Sequence, residues 1–158
     1  AIPARLNPTG ASAVATIARL FDLGLKPYVV ATALEGIISQ RLVRSVCPNC
    51  SQPAAPDPAV ISRLGTVFAD IGEIRRGRGC DACHGSGYKG RVGIYEILTL
   101  DDPLRDCIGS GASVLEISRQ ARQRGLRSIV HHAFERVQAG ATTPDEILRV
   151  LGPMTGEY

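Results

Sequence analysis

The chain lacks most of the features that would take it outside ordinary globular protein. No apolar run of about 18 residues occurs, so no transmembrane helix is encoded. No basic segment followed by a hydrophobic stretch opens the sequence, which excludes a visible signal peptide. Lysine is almost missing: Lys26 and Lys89 are the only two, and the net charge of +3 is carried by arginine. Aromatic residues are 4% of the 158, and the basic stretch Arg75, Arg76, Arg78, Lys89 and Arg91 lacks the aromatic interleaving on which single-stranded nucleic acid stacks. These cations are read as a solvated surface that offsets thiolate charge, and a nucleic-acid partner is not expected. Five cysteines are too few for the dense disulfide framework of a small secreted scaffold. Reduced thiols and the missing leader together point to a cytoplasmic location. The chain opens at Ala1 without a methionine, and the expectation is a piece of a longer protein. Apolar content of 44% and charged content of 21% fit one globular domain or two small ones.

The cysteines that are present are arranged in pairs, Cys47-Pro48-Asn49-Cys50 and Cys80-Asp81-Ala82-Cys83, about thirty residues apart. Two residues between cysteines let the backbone turn until both sulfurs face one point, and two such pairs supply the four thiolates of a tetrahedral zinc site. Disulfides and a redox pair are the competing readings. Against redox chemistry, turn residues follow each pair (Ser51-Gln52-Pro53 and His84-Gly85-Ser86-Gly87), where a thioredoxin-like motif would open a helix. His84 is a competitor for the metal through its place beside Cys83, although four sulfurs already fill a closed structural site. Cys107 lies in the pattern Leu104, Cys107, Ile108 and is read as a core residue, because a free cysteine behaves as a small hydrophobe. His131 and His132 have no ligating neighbours in sequence and are read as surface or partly packed.

Periodicity places helices over residues 8 to 21, with Gly24 as the stop, and from Pro27 through Glu35. Ile37 to Val46 is expected as a strand in which Ile38, Leu42 and Val46 share a face with Gln40 and Arg44. Ser51 to Pro58 is rich in proline and alanine and is expected as loop. A single short helix should follow through Val60, Ile61, Leu64, Val67 and Phe68, then an extended stretch from Ile71 to Arg78. Val92, Ile94, Tyr95 and Ile97 mark a strand after the second pair. From Asp101 onward the pattern is helical: a cap at Asp101 or Asp102, a capping box at Ser113 to Glu116, and another at Thr143 to Glu146. Helices near 114–124, 127–139 and 144–151, separated by Gly125 and Gly140, read as a small bundle.

The run from Leu34 to Cys50 (LEGIISQRLVRSVCPNC) resembles the segment that enters the tetracysteine motif of bacterial secretion ATPases. Cys80-Asp81-Ala82-Cys83 with Gly87-Tyr88 and the stretch Gly90 to Leu98 (GRVGIYEIL) is similar to the segment that leaves it. Arg19 to Gly24 (RLFDLG) and Thr142 to Val150 (TTPDEILRV) match as well, and the order of these pieces covers nearly the whole chain. The family is that of type II secretion and type IV pilus assembly ATPases, E-type hexameric motors at the cytoplasmic membrane face. The resemblance implies an α/β fold: the end of a RecA-like P-loop NTPase core over 1–46, a zinc-binding insertion over 47–90, a return strand over 91–100 and a C-terminal helical bundle over 101–158. It implies a structural Zn2+ on Cys47, Cys50, Cys80 and Cys83, with ATP and Mg2+ bound only by the full-length protein. The implied partners are identical subunits and the inner-membrane platform and assembly proteins, driven by domain rotations. Arg41 and Arg91 are candidates for contact with nucleotide or the next subunit, because the guanidinium fork suits phosphate and carboxylate.

Two departures bear on chemistry. The chain contains no GxxxxGK(S/T) loop and no Walker B carboxylate segment, so it is not expected to hydrolyse ATP alone. The family's histidine box should fall just before Arg19, yet residues 7 to 14 read NPTGASAV. Locally, Cys80 to Gly87 also matches the CxxCxGxG repeat of DnaJ-type co-chaperones, and the arginines admit a zinc-ribbon nucleic-acid binder; both are carried as alternatives.

Overall fold

The computed structural model describes residues 12–154, so residues 8–11 of the helix expected over 8 to 21, and most of the histidine-box segment, lie outside the described residues. Ser12 caps the first helix by accepting a hydrogen bond from the Ala15 amide, and α1 runs Ala13–Asp22. Gly24, at φ +86°, ends it as expected. Pro27 opens α2, Pro27–Ala33, which is shorter than expected because Leu34 already takes an extended conformation. Strand β1 follows as Gly36–Val46.

β1 is a strand as expected, and its buried residues are Ile37, Val43 and Val46; of the expected face only Val46 is covered, whereas Ile38 is 67% and Leu42 50% exposed. Sequence alternation fixes which side chains share a face, not which face is covered. Ser51–Ala54 is a strand, β2, where loop was expected. It pairs antiparallel with β3, Ile74–Gly77, in the register Ser51↔Gly77 to Ala54↔Ile74. Pro53 is tolerated because each strand of a two-stranded sheet has a free edge. The single helix expected over residues 60–68 is two pieces. Asp57 caps α3, Pro58–Leu64, Gly65 breaks it at φ +78°, and a 3-10 turn holds Thr66–Phe68. β4, Tyr88–Thr99, pairs with β1 in the second two-stranded sheet.

Four further helices follow: α4 (Asp102–Gly109), α5 (Val114–Gln123), α6 (Ile129–Gln138) and α7 (Pro144–Leu151). Asp101, Ser113 and Thr143 cap α4, α5 and α7 through their side-chain oxygens. Packing divides the chain into two compact units. The first takes the chain up to Ser39 together with Glu96–Ser128, and the second takes Gln40–Tyr95 and the chain from Ile129 onward. The division falls within β1 and β4 and again between α5 and α6, so it divides the segments 1–46, 91–100 and 101–158 and leaves 47–90 whole. Helices α4 and α5 therefore belong to the first unit and α6 and α7 to the second. Each unit has its own apolar core: Ile17, Ile37, Leu104, Ile108 and Ile117 in the first, Val43, Leu64, Phe68, Ile94 and Ile147 in the second. Among the described residues no helix is long and apolar enough to cross a membrane.

Candidate metal centre

Each cysteine pair is a tight turn closed by its own backbone. In the first, the Cys50 amide donates to the Cys47 carbonyl at 3.3 Å; in the second, the Cys83 amide donates to the Cys80 carbonyl at 3.1 Å. The second knuckle turns further, because Asp81–Cys83 is a 3-10 turn and His84 takes the left-handed conformation at φ 51°. The Gly85 amide then reaches the Cys80 carbonyl at 3.0 Å. Two glycines let the second knuckle close on β3. A side chain at Gly77 would collide with the Gly87 carbonyl, one at Gly87 would collide with the Gly77 carbonyl, and Gly87 also needs φ +74°. The first knuckle is tied to the second where the Cys47 amide donates to the Gly87 carbonyl at 2.9 Å.

These turns bring the sulfurs of Cys47, Cys50, Cys80 and Cys83 within 4.8 Å of one another. Cys47 and Cys80 stand 3.9 Å apart, Cys50 and Cys83 3.9 Å, and Cys80 and Cys83 3.7 Å. Four sulfurs about 2.3 Å from a common centre form a tetrahedron with edges of about 3.8 Å, so these three separations fit a metal-centred set. A disulfide needs about 2.05 Å, and all five cysteines are free. His84 is exposed and is not one of the four grouped residues. Cys107 packs partly buried against the core of the first unit, and burial raises its thiol pKa.

The electrostatics also call for a cation. Burial pushes the Cys50 thiol up to about 12. Burial acts in the same direction on Cys83, but the Cys80 and Gly87 amides donate to its sulfur at 3.2 and 3.3 Å and bring it down to about 6. Four adjacent sulfurs, three of them on buried cysteines, cannot all ionise against their mutual repulsion unless a positive ion sits among them. The donor set and its geometry therefore suit a metal ion, held on two turns whose backbone is already bonded.

Of the arginines singled out, Arg41 lies in the middle of β1 and donates to the Gln40 carbonyl at 3.0 Å. Arg91 lies exposed on β4. Neither belongs to the cysteine group. His132 is partly packed, as expected, and its Nδ1 accepts the Tyr95 amide of β4 at 2.9 Å.

Sequence reasoning missed the polar cluster beside the knuckles. Glu146, fully buried, receives Arg44 Nε and Nη2 at 2.9 and 2.8 Å and Arg149 Nε and Nη2 at 2.7 and 2.6 Å. Burial works against the carboxylate, but the two guanidiniums outweigh it and hold its pKa down at about 2. Arg44 stacks on Tyr88 at 4.2 Å, and the Tyr88 hydroxyl meets the Thr143 hydroxyl at 2.7 Å. The only sequence signal was the capping box. Thr143 does cap α7, accepting the Glu146 amide at 3.2 Å, but the Glu146 carboxylate turns to the arginines rather than back to the cap.

A family model described as "Type II/IV secretion system protein" matches residues 9–149. The "Type IV pilus assembly ATPase PilB" of Thermus thermophilus is 41% identical over 138 residues, covering 86% of this chain and 16% of the relative. The "Type II secretion system protein E" of Pseudomonas aeruginosa is 41% identical over 139 residues, covering 88% of this chain and 28% of the relative. The "Type II secretion system ATPase E" of Vibrio cholerae is 34% identical over 143 residues, covering 88% of this chain and 27% of the relative. The chain thus spans between 16% and 28% of the length of these relatives.

Proposed function

Because this chain belongs to the type II/IV secretion system protein family, we propose that it is the C-terminal part of a hexameric ATPase that powers type II secretion or type IV pilus assembly. The observation that carries the reading is the family match over residues 9–149. It covers far more than the single CxxCxGxG stretch that favoured a co-chaperone, and far more than the arginines that favoured a nucleic-acid binder. On this reading residues 1–46 end a RecA-like core, 47–90 form the metal-bearing insertion, 91–100 return to the core and 101–158 form the helical C-terminal region. Cys47, Cys50, Cys80 and Cys83 hold one structural zinc, supported by a donor set of four sulfurs at tetrahedral separations. Zinc supplies charge neutralisation and a fixed fold for the two knuckles, and no chemistry of its own.

ATP and Mg2+ bind through a phosphate loop that this sequence does not contain. Arg41 and Arg91 are offered to nucleotide or to a neighbouring subunit. The motor works on the cytoplasmic face of the inner membrane, against platform and assembly proteins. The test uses the full-length protein. Purified, it should hydrolyse ATP, sediment as a hexamer and carry one zinc per chain by elemental analysis. A full-length protein that neither hydrolyses ATP nor restores secretion or piliation to a strain lacking it would overturn the motor reading, and absence of bound metal would overturn the zinc assignment separately.

A further inference from the structure

The backbone beside the two knuckles is bonded to the corner between α6 and α7. Val46, immediately before Cys47, donates its amide to the Ala141 carbonyl at 3.0 Å. Two residues earlier on β1, the Arg44 carbonyl accepts the fully buried Thr142 hydroxyl at 2.8 Å. On the other knuckle, Gly87 gives its amide to the Cys83 sulfur and its carbonyl to the Cys47 amide, which fixes the place of Tyr88. The Tyr88 hydroxyl then meets Thr143, the cap of α7, at 2.7 Å. One turn into α7, Glu146 accepts the Arg44 amide at 2.9 Å as well as the Arg44 guanidinium.

We propose that the metal centre and helix α7 form a single latch, in which metal binding docks α7 and loss of metal releases it. The proposal rests on the reading of the four cysteines as metal ligands. Its physical basis is that Arg44, Val46 and Tyr88, which bond the α6–α7 corner and the first turn of α7, adjoin the ligand turns, while α3 and the apolar core pack on the rest of the helix. Without the metal, only the backbone bond from the Cys47 amide to the Gly87 carbonyl ties the two knuckles, and Val46 and Tyr88 hold the register that meets Ala141 and Thr143 less firmly. Coupling of this kind is reciprocal: whatever holds α7 in place must raise metal affinity by the same factor. A released α7 uncovers Ile147 and the Glu146 carboxylate, both fully buried when it is docked, so metal state becomes exposure of an apolar helix to other proteins.

The test is run on the full-length protein, after elemental analysis has fixed its metal content. Hydrogen exchange is followed with the metal bound and after chelation. Exchange in residues 144–151 should accelerate at least about tenfold on chelation, as expected for local opening of a docked helix, while residues 114–123 keep their rate. In parallel, Tyr88→Phe and Thr142→Val, which touch no ligand, should each weaken metal affinity about fivefold in competition with a chromophoric chelator, the effect of one ordinary hydrogen bond. Helix content at saturating metal should stay at the wild-type level in both. Unchanged exchange in α7 after metal removal overturns the latch even if metal binds normally, and so does wild-type metal affinity in both variants. A native protein that carries no metal overturns the ligand reading itself and the latch with it.

Discussion

The two compact units are held by different chemistry. The first closes around an apolar cluster that runs from Ala13 to Ala121 and includes the fully buried Ile17, Leu104, Ile108 and Ile117. The second has an apolar cluster of its own, but adds four cysteine sulfurs and a carboxylate clasped by two arginines. Apolar packing depends on water and temperature and is indifferent to chelators. Sulfur donors and buried carboxylates are conditional, because they hold only while a cation, or a suitable pH, is present. The first unit also buries a carboxylate, Glu96, which accepts the Ala13 amide, but among the described residues only the second carries the sulfur cluster, so it is the second whose stability a chelator can change.

The contrast can be broken from either side. The largest effect is expected from Cys47→Ser combined with Cys80→Ser. Structural zinc contributes on the order of 10 kcal/mol or more to small zinc-dependent folds. Elemental analysis should find no zinc, and hydrogen exchange should rise in the second unit while the first keeps its protection. One zinc per chain surviving both changes would end the assignment. The converse variant, Ile117→Ala, should remove about 3 kcal/mol from the first unit by opening a cavity at a fully buried site. Its zinc content should match the wild type; loss of metal there would show that the two units do not fail independently.

The smallest of the three effects concerns the clasped carboxylate. Glu146→Gln should cost about 2 kcal/mol, because Arg44 and Arg149 lose their counter-charge and the amide nitrogen that replaces one carboxylate oxygen cannot accept their bonds. Its pKa falls on folding, from an ordinary 4.5 to about 2, so its contribution is complete above the higher value and is lost as pH drops through the lower one. Denaturant titrations at a series of acidic pH values should show that loss in the wild type, and the glutamine variant should lack that component. Identical acid dependence in the two proteins would assign the effect to other carboxylates.

The features legible in the sequence were local ones. A CxxC turn is closed by bonds three residues apart, so the spacing of Cys47, Cys50, Cys80 and Cys83 was enough to group them. The caps Asp101, Ser113 and Thr143 were legible for the same reason, since each bonds within its own first turn. What escaped depends on partners far along the chain. β2 looked like loop because the stretch Ser51 to Pro58 that holds it is rich in proline and alanine, and only pairing with β3, twenty or more residues on, makes it a strand. Glu146 looked like half of a capping box, while one of its two arginine partners, Arg44, lies 102 residues away. The exposed side of Ile38 and Leu42 followed the same logic: alternation is written in the strand, burial in whatever covers it.

The backbone contact between Gly77 and Gly87 has a consequence for how such centres are recognised and inherited. Neither is one of the four cysteines, yet the knuckle closes only because both lack a side chain. A relative that kept all four cysteines but gained an alanine at either position would retain the ligands and lose the closure. Enlarging the other glycine could only deepen the collision, so the pair has no compensating partner substitution. A count of cysteines thus reports which chains can supply donors, and this pair of hydrogens ten residues apart reports which of them can bring those donors together.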